Sequence, residues 1–360
     1  MKRVAIIGIS GFPSRKGGFD SFVSELVENS RGQIFFELYT ETSNQSDKAE
    51  SGVNFIKIPV FRPIGFFGLI QHRIEAFRRA EYGKCENIYI LGYTALPFVF
   101  RKNKRKNLMV NMDGLEWKRS EYSLIKRTFL RLAEYIAVTK ADILVADSLS
   151  IQAYIFEKFK RRSVFVPYSA PLPCEFSRDQ VQSVLSKFKL TIADYYLFVG
   201  RCVRENHLLE IVKAFCASGS TKKLFIATDK RKNTLRTELE QMQSHDPRIV
   251  HLDPVYDKIE LETLRGSCFA YLHGHSVGGT NPSLLESLVK APPIVAHRNK
   301  FNQEVLGESA RYFSSEVELK GVFDSETMIK FPNSFDSRLS IAEERYSIKA
   351  LVEKIWEVLI

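Results

Sequence analysis

Val4-Ala5-Ile6-Ile7-Gly8-Ile9-Ser10-Gly11-Phe12-Pro13-Ser14-Arg15-Lys16-Gly17-Gly18-Phe19-Asp20 decides the architecture. Its first four residues are an apolar, mostly β-branched run of strand length, and the glycines that follow mark a loop. From Phe19 the period changes: Phe19, Phe22, Val23, Leu26 and Val27 fall at the 3, 4, 7, 8 spacing of one helix face. A buried strand, a glycine loop and an amphipathic helix make the first half of a βαβ unit, which implies a parallel sheet. Behind Met1-Lys2-Arg3 the run imitates a secretion signal, but it is too short and meets Gly8, Gly11 and Pro13, so it reads as a strand.

The same grammar continues outward. Apolar runs at 34–36, 88–91, 108–110 and 143–145 read as further strands, and those at 196–199, 223–226, 249–252 and 269–272 repeat the pattern later in the chain. Between the two series, Pro167-Tyr168-Ser169-Ala170-Pro171-Leu172-Pro173 denies regular structure and makes a stiff connector. A chain of 360 residues is long for one α/β core. The expected organisation is α/β: two Rossmann-like domains, residues 1–170 and 171–340, with parallel sheets facing a central cleft. Residues 341–360 form a final helix whose stripe of Ile348, Leu351, Val352, Ile355, Trp356 and Leu359 needs a partner surface, assigned to the first domain.

Composition narrows the class. No uncharged apolar run is long enough to span a bilayer. The five cysteines are scattered, odd in number and free of any C-x-x-C pair, which argues against disulfides and structural zinc and for a reducing compartment. Residues 1–175 carry 27 Lys and Arg against 18 Asp and Glu, whereas residues 176–360 carry 25 against 24. Nearly all of the net charge of +10 therefore sits in the first half, which suits an anionic partner. A generically basic surface is the plainer reading of the same asymmetry.

Three loops follow strand ends, where open α/β sheets bind ligands. In the first, a dinucleotide fingerprint would need glycines where Ser10 and Pro13 stand, so a dehydrogenase is excluded. Gly17-Gly18-Phe19-Asp20 instead opens a helix whose bare N–H groups suit phosphate oxygens. In the second, Gly200-Arg201-Cys202-Val203-Arg204-Glu205-Asn206-His207, an arginine beside a glycine can reach a diphosphate with a fixed fork of donors. In the third, 273–286, Gly278, Gly279 and Thr280 lead to Asn281-Pro282, a good N-cap and first-turn pair, and Glu286 lies a little over one turn inside. Glu286 reads as an acceptor for sugar hydroxyls, or as a solvated helix residue. His273 and His275 invite a metal, but no carboxylate or thiol companion stands near.

These residues carry a resemblance. The loops, together with Asn111-Met112-Asp113-Gly114-Leu115-Glu116-Trp117-Lys118-Arg119 and Ala146-Asp147-Ser148, resemble the bacterial rhamnosyltransferases of the retaining, family 4 type GT-B glycosyltransferases, which assemble capsular and cell-wall polysaccharides. Two departures from the broad pattern G-R-x-x-x-x-K and E-x7-E, Asn206 for the lysine and Gly278 for the first glutamate, match that subgroup. The resemblance implies the GT-B fold and transfer of L-rhamnose from dTDP-rhamnose to a lipid-diphosphate-linked saccharide by front-face attack, the acceptor proton leaving with the phosphate. It implies that Arg201 holds the diphosphate, that Gly279, Thr280 and Asn281 give it backbone donors, that Asn206 and Gly278 belong to the same donor site, and that Glu286 binds the ribose. Asp113 is the candidate for orienting the acceptor or the sugar, with a capping role as its rival.

No two aspartates stand in a D-x-D pair, so a site without metal or other cofactor is expected. The stretch 66–79, where Phe66, Phe67, Ile70, Ile74 and Phe77 alternate with His72, Arg73, Arg78 and Arg79, and the cluster 101–106 suit an anionic lipid surface. An ordinary core-facing helix fits equally. The expected partners are a nucleotide sugar, a lipid-linked saccharide and the inner face of the cell membrane, which the protein would join peripherally from the cytoplasm. Other readings are a UDP- or GDP-hexose donor, a sugar-nucleotide epimerase, and a nucleic-acid-binding protein, the last leaving Asn281-Pro282 and Glu286 unexplained.

Overall fold

The computed structural model describes residues 2–12, 17–30, 32–40, 53–57, 66–101, 105–172, 175–290, 292–325 and 334–359. The chain divides into two compact units, Met1–Ser169 with Tyr346–Ile360, and Ala170–Arg345.

In the first unit β1 (Lys2–Ile7), α1 (Gly18–Asn29), β2 (Ile34–Thr40), β3 (Val53–Lys57), α2 (Phe66–Tyr82), β4 (Asn87–Leu91), β5 (Asn107–Asn111), α3 (Leu124–Lys140), β6 (Ile143–Ala146), α4 (Leu149–Phe159) and β7 (Val164–Phe165) alternate along the chain. The strands pair in parallel in the order β3-β2-β1-β4-β5-β6-β7. Parallel sheets are covered on both faces, which is why Val4 to Ile7 are all buried.

The second unit holds α5 (Arg178–Lys187), β8 (Tyr195–Val199), α6 (Leu208–Cys216), β9 (Lys223–Ala227), α7 (Thr234–His245), β10 (Ile249–Asp253), α8 (Lys258–Ser267), β11 (Ala270–His273), α9 (Pro282–Leu288), β12 (Ile294–His297), α10 (Lys300–Leu306), β13 (Arg311–Phe313), α11 (Glu316–Asp324) and α12 (Ser334–Arg345). Its sheet, β10-β9-β8-β11-β12-β13, is also parallel. Phe198, Ile211, Phe215, Ile226 and Leu272 form the middle of its core. The fully buried Arg338 of α12 donates to the carbonyls of Pro292 at 3.0 Å and Lys290 at 2.9 Å, which fastens that helix to the chain between α9 and β12.

Finally α13 (Ile348–Leu359) packs on α1 and buries Leu351, Ile355, Val358 and Leu359. Both units obey one rule. The order reverses between β1 and β4 in one sheet and between β8 and β11 in the other, and these switch points are where the loops of interest lie.

Several expectations need correction. The apolar side of α2 faces inward: Ile70 and Phe77 are core residues, His72 is buried, and Arg73 reaches Thr94. Of that stripe, Phe67 is 80% exposed, while the Phe66 side chain lies outside the described residues. The basic cluster 101–106 is also not a free patch at its two ends, since Arg101 pairs with Asp142 at 2.7 Å and the buried Lys106 ammonium donates to the carbonyls of Ala80 and Gly83. Residues 102–104 lie outside the described residues, as do Pro13, Ser14, Arg15 and Lys16 of the first loop and Pro173 and Cys174 of the connector. The four described cysteines are free thiols. Among the described residues no helix is long and apolar enough to cross a membrane.

Candidate functional site

At the switch point of the second unit, the loops after β8 and β11 are locked to each other. Asn206 Nδ2 donates to the Arg201 carbonyl at 2.8 Å, which leaves Oδ1 to accept from His275 Nδ1 at 2.9 Å and so fixes the proton on that nitrogen. The Ser276 amide donates to the Glu205 carbonyl at 2.9 Å. Where the backbones cross, a Cβ on Gly274 would stand 1.9 Å from the Asn206 carbonyl oxygen, so only glycine permits the approach. Asn206, expected at the donor, therefore uses both ends of its amide to hold the loops. Arg201 is exposed, and its guanidinium has no hydrogen bond or ion pair among the described residues; the same is true of Arg204. These two are the available cations of the loop.

The later loop enters α9 through Gly278 at φ +139, Gly279 and the buried Thr280. Asn281 Oδ1 accepts from the Ser283 amide at 2.9 Å, and Pro282 occupies the first turn. One turn on, Glu286 pairs with Arg265. Arg265 is 2% exposed and also donates to Glu262 at 3.0 Å and Ser283 Oγ at 3.2 Å, while Lys290 holds the second oxygen of Glu262 at 2.8 Å. In this chain of charges Glu286 is the open end, with 37% of its side chain exposed against 8% or less for the other three. Burial lifts its carboxyl above the ordinary range, and Arg265 opposes the lift. Its Oε2 is held by Arg265, so the carboxylate is oriented before any ligand arrives.

The histidines pack within and against these loops. The buried His273 is pushed well below the ordinary imidazole range by desolvation. His297 stacks on His207 with ring centres 4.0 Å apart and is lowered to about 4, chiefly by burial. Among the described residues no group of three His, Cys, Asp or Glu is arranged to hold a metal.

In the first unit a cavity of about 350 Å³ opens at the strand ends, lined by Phe19, Arg73, Thr94, Asp113, Glu116 and Lys126 among others. Asp113 sits at φ +42, a conformation that aspartate tolerates better than most residues, with its amide donating to Asn111 Oδ1 at 2.8 Å. Burial, then the neighbouring Glu116, raises the Asp113 carboxyl to about 6, against the pull of Arg119 and Arg73. Glu116 is itself paired with Arg119, whose Nε stands at 2.8 Å. Arg73 donates to Thr94 Oγ1 at 2.7 Å. The cavity thus combines carboxylates, cations, a hydroxyl and aromatic walls, a set able to grip a polyhydroxylated ring.

Gly17 caps α1 and Gly18 begins it, and Phe19 lines the cavity. Asp20 corrects the phosphate reading of this loop. Its carboxylate accepts from the Ser10 amide at 3.0 Å and from the Ser10 hydroxyl, so the head of the helix already carries a negative charge that would repel a phosphate. Arg73, Glu116, Arg119 and Lys126 were not assigned to this site from sequence, although Glu116 and Arg119 lie within the 111–119 stretch. A three-residue spacing of opposite charges, Glu116 to Arg119 and Glu262 to Arg265, was the signal available for two of the pairs.

Known proteins agree with this architecture. A family described as a domain of unknown function (DUF1972) matches residues 1–170. Among curated proteins nothing matches. Sucrose-phosphate synthase (tll1590) from Thermosynechococcus elongatus superposes with a TM-score of 0.78 at 13% identity, covering 99% of this chain and 98% of that one. Anabaena Alr3699/HepE, solved with UDP-glucose, gives 0.74 at 14% identity over 100% and 99%. A glycosyltransferase from Rickettsia africae ESF-5 gives 0.71 at 10% over 99% and 97%. At such identities the likeness establishes the fold, and that fold is GT-B.

Proposed function

We propose that the chain is a retaining glycosyltransferase that moves L-rhamnose from dTDP-rhamnose to a lipid-diphosphate-linked saccharide, working peripherally at the inner face of the membrane. The observation that carries the transferase reading is that two loops locked together at one switch point present the unpartnered guanidinium of Arg201 and lead into the helix that carries the oriented carboxylate of Glu286. The GT-B fold, shared with HepE solved with UDP-glucose, supports a nucleotide sugar as substrate. The rhamnosyl donor is supported by the resemblance at 111–119 and 273–286.

On this reading the acceptor oxygen bonds to the anomeric carbon as the bond from that carbon to the diphosphate breaks, and the acceptor proton passes to the departing phosphate oxygen. Negative charge grows on the leaving group, and Arg201, with Arg204 beside it, stabilises that charge. Backbone donors of Gly279, Thr280 and Asn281 assist, and Glu286 accepts from ribose hydroxyls. Asp113, ionised above about pH 6, is the group assigned to orienting the acceptor. With no D-x-D pair in the sequence, the donor phosphates are held by arginine and backbone, and no cofactor enters the scheme.

A second donor class, UDP- or GDP-hexose, has HepE in its favour. Incubation with dTDP-rhamnose, UDP-glucose and GDP-mannose, following nucleotide release with and without a lipid-diphosphate acceptor, decides between them. Acceptor-dependent release of dTDP alone is expected; release of UDP or GDP alone replaces the rhamnosyl assignment.

A further inference from the structure

Helix α3 presents an inverted pattern. Positions 124, 125, 128, 131, 132 and 135 form one helical stripe, and on this stripe, which faces solvent, stand Leu124 at 77% exposure, Ile125 at 84%, Leu132 at 52% and Tyr135 at 56%. Thr128 and Arg131 are its other members; the helix's single acid, Glu134, is buried. Beside the stripe, Phe98 stacks on Phe129 of the helix at 5.9 Å, and Phe100 is 76% exposed. An exposed apolar strip of this length on a charged chain marks a contact surface.

The charges around it are mostly positive, with Glu121 the exposed acid ahead of the helix. Three cations gather on the Trp117 ring: Arg131 Cζ at 4.5 Å, and Lys118 and Lys158 Nζ each at 5.5 Å. Glu134 neutralises Lys158, but neither Lys118 nor Arg131 has a carboxylate partner among the described residues. Lys126, in the first turn of α3, lines the cavity that holds Asp113, as does Leu69, 42% exposed at the start of α2. The strip and the cavity mouth are therefore continuous.

We infer that the outward face of α3 is the surface on which this protein lies against an anionic lipid bilayer. Apolar side chains enter the interface, and Lys118, Arg131 and the indole between them sit at headgroup level. A second copy of the chain is a poorer occupant, because a symmetric contact would set the same unneutralised cations against each other. The surface differs from the α2 stretch that composition suggests, and its continuity with the cavity lets a saccharide carried on a lipid reach Asp113 without leaving the membrane. This last consequence rests on the lipid-linked acceptor proposed above.

The test is co-sedimentation of the whole chain with phosphatidylcholine vesicles, with and without about 30 mol% phosphatidylglycerol, at about 0.1 M and 0.5 M salt. Partition onto anionic vesicles should exceed that onto neutral ones at least about tenfold and fall as salt rises. Combined Leu124→Ser, Ile125→Ser and Leu132→Ser should lower it about tenfold or more. Lys118→Glu with Arg131→Glu should remove the anionic preference. Binding of the serine variant equal to that of the parent overturns the inference. So does a parent dimer in sedimentation equilibrium that the serine variant reduces to a monomer, which would make the face a contact between copies. Transfer to a short soluble acceptor, measured in parallel, reports on the transferase reading alone, so the two can fail separately.

Discussion

Asp113 concentrates the chemistry of the first unit in one side chain. Its carboxyl titrates at about 6 in the fold against about 3.9 in an unfolded chain. Below about pH 4 both states hold the proton. Between about 4 and 6 only the folded state does, so the charge costs stability progressively as pH rises, and the full cost is present above about 6. Asparagine keeps the shape and tolerates the left-handed backbone, so Asp113→Asn should stabilise the protein by about 1–3 kcal/mol at pH 7–8 and by nothing near pH 4. It should also lose transfer activity and the fall in rate that the parent shows as pH drops through 6. Thermal melts and a pH–rate profile check both halves; a destabilised variant at pH 8 would contradict the carboxyl's environment as described.

On the donor side, Arg201→Ala removes an exposed, unpartnered group. Stability should change by no more than about 0.5 kcal/mol while turnover falls at least about tenfold to a hundredfold. Glu286→Gln leaves Arg265 with Glu262 and should weaken nucleotide binding, read as a raised KM. Near-normal kinetics in either variant removes that residue from the site. At this scale the sequence showed which loops follow strand ends: Arg201 and Asp113 stand just past β8 and β5, and Glu286 stands in the helix that the loop after β11 leads into. It could not show that Asn206 and Asp20 are used up on the protein, because their partners, His275 and Ser10, are fixed by how two loops approach each other.

Among the elements, the buried strands β1, β4, β5, β8 and β11 were readable because each carries an unbroken apolar run. Strands β3, β7, β12 and β13, at or next to the sheet edges, offered apolar runs too short or too broken to separate them from loop. The helices teach a different lesson. Periodicity identifies residues that share a face, but for α2 it could not say that the face turns inward, and for α3 it could not say that the apolar stripe turns outward. Gly274 is the sharpest test at this level. Gly274→Ala places a methyl against a backbone carbonyl with no flexible partner to yield, so the two donor loops must part. The expected cost is about 1–3 kcal/mol, with loss of nucleotide affinity larger than the loss of stability. Calorimetric titration with nucleotide beside a thermal melt checks it, and full affinity would show that the loops are less tightly joined.

Across the whole molecule, parallel sheets and the GT-B fold followed from the alternation of short apolar runs with helix-period segments, repeated twice. The route of the chain was less legible, since a helix's apolar stripe shows that it needs a partner without naming which. Leu351 and Ile355 of α13 are buried against the first unit. Truncating either to alanine should cost about 2–5 kcal/mol. Hydrogen exchange should then quicken in α1 and β1 while α6 and β8 keep their protection, and uniform quickening in both units would contradict the division. That division reaches back to synthesis. The second unit is one continuous stretch and can close as soon as it leaves the ribosome, whereas residues 1–169 must wait for residues 346–360. At about 5–20 residues per second the delay is on the order of ten to thirty-five seconds, during which the side of α1 that α13 covers stays bare and is a part of the newborn chain that a chaperone would shield.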